Sequence, residues 1–110
     1  MTIEHRLAVY GTLAPGRSNY DQLGILAGTW RTGSISGRLI AQGWAPTEGY
    51  PALFLDPLAA PIEIQLFESA DLPDHLEPLD DFEGPGYRRT AVSVLIGDAT
   101  VEAWIYAAAR

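Results

Sequence analysis

One change of rhythm constrains this chain more than anything else in it. Apolar residues alternate with their neighbours through several short segments. The period then shifts at Leu72, Leu76, Leu79 and Phe82, which are spaced 4, 3 and 3, and afterwards returns to alternation. Period two belongs to half-buried strands and a 4-3-3 stripe to one face of a helix. Residues 6–10, 35–42, 52–55 and 62–68 therefore read as strands. Gly37 is a possible bulge, and Gly49-Tyr50-Pro51 turns the chain into the third strand. In the fourth, Ile62, Ile64 and Leu66 share one face, while Glu63, Gln65 and Phe67 share the other. Val92, Val94 and Ile96 alternate again, Gly97-Asp98 turns the chain, and residues 100–107 return as the second arm of a hairpin.

The helical segment spans about residues 71–83. Asp71 is placed as its N-cap and Pro73 fits its first turn. Pro78 lacks an N–H and clashes one turn back, so a kink or two short helices is expected. Gly84 is the natural stop. Six strands with a helix between the fourth and fifth predict an α+β fold. Its preferred form is a small, mixed, mostly antiparallel β-barrel, because closure removes exposed edges. The regular βαβ alternation of a doubly wound sheet is missing.

The 110 residues suffice for a single domain, 1–110, with 47% hydrophobic and 19% charged residues. The formal charge is −7, with fourteen acids, seven arginines and no lysine. Residues 1–50 hold four arginines against three acids, and residues 51–110 hold three against eleven. That balance argues against nucleic acid and against anionic membranes as partners. An amino-group-bearing substrate tolerates it, as does a plain solvated surface. With no cysteine, thiolate catalysis and cysteine-ligated zinc are excluded. No apolar run reaches the length of a signal sequence or a membrane span, so a cytoplasmic protein is expected.

Two segments offer chemistry. Residues 11–18, GTLAPGRS, come close to the phosphate-binding pattern G-x-x-x-x-G-K-[ST], but Arg17 stands where lysine belongs. Besides a simple turn, the remaining reading is a loop whose amides hold a carboxylate or oxyanion, with Gly11 allowing close approach. The second is Leu79–Gly84, LDDFEG. Glu83 falls at the helix end, where the dipole and the acids Asp80 and Asp81 push its pKa upward. Arg88 and Arg89 oppose that shift if near. A raised carboxylate suits a general base for an amine; the bland reading is a surface acid beside a cap. His5 and His75 have no companion for a transition metal. Asp80, Asp81 and Glu83 lack an EF-hand spacing. The tryptophans and Tyr10, Tyr87 and Tyr106 read as core or pocket wall.

Taken together, Leu7–Leu13 (LAVYGTL) and Leu79–Arg89 (LDDFEGPGYRR) resemble the gamma-glutamylcyclotransferase-like family. The likeness is to its short members, which include the gamma-glutamylamine cyclotransferases. Gly49-Tyr50-Pro51-Ala52 and Ala103-Trp104-Ile105-Tyr106 are similar too, so the likeness covers nearly the whole chain. It implies a barrel with a pocket at its mouth. Tyr10, Gly11, Thr12 and Leu13 match the substrate-holding loop, Glu83 the catalytic glutamate, and Tyr87 and Arg88 positions flanking it. The implied reaction converts a gamma-glutamyl amide into 5-oxoproline and a free amine, with no metal or organic cofactor. Arg17 and Arg88 are both open as partners of the substrate carboxylate. The other class of reading is a non-catalytic module binding a small carboxylate or a protein.

Overall fold

The computed structural model describes residues 2–10, 21–24, 26–40 and 52–108. Among them run the strands β1 (Arg6–Val9), β2 (Thr29–Ile40), β3 (Ala52–Leu55), β4 (Pro61–Glu68), β5 (Tyr87–Ile96) and β6 (Ala99–Ala108). A single turn forms α1 (Asp21–Gly24), and a 3-10 turn at Leu72–His75 leads into α2 (Leu76–Glu83).

The strands hydrogen-bond in the order β3-β2-β4-β1-β6-β5, and Ser34 of β2 also pairs with Leu95 of β5. That last pairing closes β2-β4-β1-β6-β5 into a five-stranded barrel, with β3 attached to the far end of β2. All pairings are antiparallel except β1 with β6. The expected mixed, mostly antiparallel barrel is therefore present, with one strand outside the closed ring.

Closure depends on Gly33. A Cβ at this position would lie 2.5 Å from Ile96 Cδ1, 2.9 Å from the Leu95 carbonyl oxygen and 2.9 Å from Val94 Cγ1. The missing side chain lets β5 approach β2 at the seam. Gly37 has a related use. Its register is continuous, running through Ser36↔Pro61 with β4 and Gly37↔Leu55 with β3, so the expected bulge is not there. Instead a Cβ would press on the Phe54 carbonyl at 3.0 Å, where β2 takes up β3.

Strand β2 begins at Thr29, six residues before the alternation at Ile35 announces it. Its first half is mostly exposed and carries little apolar pattern. Its register against β4, from Thr29↔Glu68 to Ser36↔Pro61, fixes it as strand.

Beyond Arg6 both faces of β1 are buried, and Leu7, Ala8 and Val9 are all apolar. Ala8 joins Ile35, Leu53, Ile64, Leu66, Val94, Ala103 and Ile105 in the barrel interior. Leu7 and Val9 face outward, beneath the helical segment, with Phe67, Leu72, Leu76, Leu79 and Tyr106. Two stacked cores follow from period-two strands covered by a single helix.

Pro78 dictates how the helical segment divides. A 3-10 turn ends at His75, and α2 restarts at Leu76 so that Pro78 is its third residue. There the missing N–H has no intrahelical partner to lose. Asp71 occupies the cap position of the 3-10 turn without a side-chain cap bond. Its backbone N–H is held instead by Ser69 Oγ at 3.1 Å. Phe82 leaves the apolar stripe and is 40% exposed. Gly84, at φ 77°, ends the helix, and its N–H bonds the Asp80 carbonyl at 3.1 Å. Among the described residues no helix is long and apolar enough to cross a membrane.

The seam gives a direct test. Gly33→Ala is expected to destabilise the protein by about 1–3 kcal/mol, as overpacking does. Urea denaturation measures it. A change within error would show that the β2–β5 contact does not depend on the missing side chain.

Candidate functional site

Helix α2 buries Leu76 and Leu79 against the outer faces of the barrel strands. Glu83 lies four residues after Leu79 and seven after Leu76, on the same face of the helix. Its carboxyl is therefore carried into the packed side, while Phe82 turns out. Among the described residues it has no ion-pair partner. Burial pushes its pKa up from 4.5 to about 7. The direction matches the sequence expectation but the cause does not. Desolvation accounts for it, rather than the helix dipole or the acids Asp80 and Asp81.

Glu83 acts electrostatically on two tyrosines, Tyr10 and Tyr106, and a third, Tyr87, acts on Tyr10. Tyr10, just past the end of β1, packs against the barrel interior and donates its hydroxyl to the Tyr106 carbonyl. Its phenol is pushed well above the usual range, first by burial, then by Tyr87, then by the charge of Glu83. The phenol of Tyr106 is raised too. Burial comes first, then its bond to Asp80 and that residue's charge, with Glu83 contributing as well. Glu83 thus stands within electrostatic reach of both hydroxyls. Tyr87 opens β5 four residues after Glu83 and packs against the outer core beneath the helix.

Beside this group lies a cavity of about 360 Å³, lined by Asp80, Tyr87, Arg88, Arg89, Trp104 and Tyr106. Asp80 organises one wall. It accepts Tyr106 Oη at 2.7 Å on Oδ1 and takes Arg89 in a two-pronged grip, Nε to Oδ1 at 2.9 Å and Nη2 to Oδ2 at 3.1 Å. The Arg89 guanidinium also lies 4.7 Å from the centre of the Trp104 ring. Arg88, one residue earlier on β5, is exposed.

The structure brings Glu83, Tyr10 and Tyr87 together and puts Arg88 on the adjoining cavity. Gly11, Thr12 and Leu13 lie outside the described residues, as do Arg17, Trp44 and the turn 49–51. Sequence reading missed Asp80, Arg89, Trp104 and Tyr106 as one unit. The signal for two of them was present, since Asp80 lies three residues before Glu83 and Arg89 two after Tyr87. Arg89, which would oppose the shift at Glu83 if near it, is bound to Asp80. Among the described residues no group of three histidines, aspartates or glutamates is arranged to hold a metal.

The sequence profile of the family described as gamma-glutamyl cyclotransferase, AIG2-like, matches residues 7–110. The chain belongs to that family. No curated protein sequence matches it. Among solved structures it resembles YkqA from Bacillus subtilis, at 25% identity and a TM-score of 0.75 over 96% of this chain. It spans only 36% of that protein. An AIG2-like protein from Mus musculus is 27% identical with a TM-score of 0.71, over 96% of this chain and 77% of that one. PH0828 from Pyrococcus horikoshii, at 21% identity and a TM-score of 0.63 over 92% of this chain and 76% of that one, shares the fold.

Burying Glu83 has a consequence for stability. The folded state holds its proton up to about pH 7, whereas the unfolded chain releases it near 4.5. Stability from this group therefore falls as pH rises between those values, and the penalty is complete above 7. Glu83→Gln removes it. The variant is expected to gain stability over the parent on going from pH 4 to pH 8, by at most about 3 kcal/mol. Urea unfolding of both proteins across that range measures the difference; a constant difference would contradict the burial of the charge.

Proposed function

We propose that this chain is a cyclotransferase that releases 5-oxoproline and a free amine from a gamma-glutamyl amide, with Glu83 as general base and then general acid. The supporting observation is the Glu83 carboxyl itself: half-buried, without a cation of its own among the described residues, raised to about 7, and within electrostatic reach of Tyr10. A base acts best when its pKa lies near the working pH.

Nucleophile and electrophile belong to one substrate molecule, so the enzyme's main task is to hold the ring-closing pose. Orientation of that kind is worth up to ~7–11 kcal/mol. The α-ammonium loses one proton before attack and a second as the ring closes. Its nitrogen bonds to the γ-carbonyl carbon while the carbonyl electrons move to oxygen. When they return, the bond to the leaving nitrogen breaks, and that nitrogen takes up both protons and departs as an ammonium. Glu83 carries protons from the first nitrogen to the second. In this proposal the amides of Gly11, Thr12 and Leu13 hold the oxyanion or the substrate carboxylate. Tyr10 and Tyr87 wall the substrate. Arg88 takes a carboxylate, because Arg89 is already committed to Asp80.

The test is 5-oxoproline release from a panel of gamma-glutamyl amides. The protein is expected to turn over at least one, and Glu83→Gln to lower kcat by about 10²–10⁴. The acid limb of kcat/KM is expected near pH 7, falling about tenfold per unit below it. A folded Glu83→Gln protein with full activity would refute the assignment. Saturable ligand binding with no 5-oxoproline from any member of the panel would favour the non-catalytic reading.

A further inference from the structure

The mechanism above leaves one set of contacts without a task. Asp80 sits one helical turn before Glu83, and its carboxylate is engaged on both oxygens by Arg89 and by Tyr106. The elements packed about Glu83 carry several titratable or charged groups. They are Glu77, Asp80 and Asp81 on α2, Asp74 and His75 on the preceding turn, Tyr87, Arg88 and Arg89 on β5, Glu102 and Tyr106 on β6 and Tyr10 beyond β1. Arg89 of β5 is turned toward the helix, where it bonds Asp80. The Tyr106 phenol donates to Asp80 beside the Arg89 guanidinium, and the charge of Glu83 also reaches it. Residues three apart on a helix have Cβ atoms only about 5–6 Å apart. A guanidinium that grips Asp80 is thus one turn away from Glu83.

We propose that Asp80 is a positioning residue of the site: by holding Arg89 in a two-pronged salt bridge against Trp104 and Tyr106, it keeps that guanidinium off Glu83, whose carboxylate stays unpaired. The proposal rests on reading Glu83 as the base. Geometry supports the division of labour. One edge of the Arg89 guanidinium, Nε and Nη2, is engaged by the two carboxylate oxygens, and its flat face rests on the Trp104 ring. A base that must accept a proton from an ammonium is weakened by a permanent cation bonded to it, since the cation stabilises the ionised carboxylate. The same bridge links α2 to β5 and β6, and through the Tyr106 carbonyl to Tyr10, so one cluster sets both the place and the charge environment of the carboxyl.

Two substitutions predict shifts of opposite sign. Asp80→Asn keeps an acceptor oxygen for Tyr106 but loses the charge that holds Arg89, which then pairs with Glu83. The titration of the Glu83 side-chain carboxyl, followed by carbon-13 NMR, is expected to move down by about 1–3 pH units. The acid limb of kcat/KM moves with it, and kcat falls more than KM changes. Arg89→Met leaves Asp80 as an unpaired anion beside Glu83, and the titration moves up. Arg89→Lys, which keeps the charge, stays nearer the parent. The double variant Asp80→Asn with Arg89→Met removes both charges and returns the titration toward the parent value.

A merely structural role would change stability or kcat in both single variants without this sign reversal. Unmoved titrations, or shifts of the same sign, would overturn the proposal. If Asp80→Asn does not fold, the upward shift in Arg89→Met decides alone, and its absence is fatal. The NMR readout needs no turnover. If Glu83→Gln retains activity, the general-base reading fails, while the titrations still show whether Asp80 keeps Arg89 from Glu83.

Discussion

An ionisable carboxyl on the packed face of a helix is a costly thing for a small barrel to keep. Leucine at position 83 would continue the stripe of Leu76 and Leu79. The chain places a glutamate there, half-buries it and gives it no cation of its own among the described residues. Much of the architecture can be understood as holding that group in place. Barrel closure at Gly33 fixes β5 beside β2, β6 aligns with β5 over ten paired residues, and the outer face of those strands receives α2. Pro78 and Gly84 set where the helix starts and stops, so that Glu83 is its last residue.

The neighbouring charges are arranged with equal economy. Asp80 and Arg89 neutralise one another, and the aromatic ring of Trp104 takes up the open face of the guanidinium. A bridge of this kind, partly exposed, contributes little to stability by itself. Its value lies in which groups it leaves unpaired. Tyr10 and Tyr106 hold their protons, because burial and the charge of Glu83, joined at Tyr106 by that of Asp80, oppose a phenolate. Tyr10 donates its hydrogen bond to the Tyr106 carbonyl and Tyr106 donates its own to Asp80, so both stand at the site as neutral, fixed walls.

Much of this was legible in the sequence wherever one face is buried and the other wet. The strand at 52–55, the alternation from Ile62, the hairpin at Gly97-Asp98 and the break forced by Pro78 all follow from local rules. Thr29–Ser34 was not legible, since that half of β2 carries few apolar residues and is held as strand by pairing with β4. Gly33 is silent for a related reason, because its use depends on a strand sixty residues away. At the site, Glu83 could be singled out from its neighbours, but its burial could not. Phe82 suggested a stripe that Glu83 in fact completes. Asp80 was read as one more negative charge beside Glu83. Only the return of β5 over the helix shows that Arg89 cancels it.

The proposed function requires that Glu83 and the end of β1 share a site in which a five-membered lactam forms. A crystal structure of the protein with 5-oxoproline bound tests it most directly. The account predicts the lactam ring at the Tyr10 end of β1, with a ring heteroatom about 3 Å from the Glu83 carboxyl. A product bound elsewhere on the barrel, with Glu83 paired to an arginine, would contradict it.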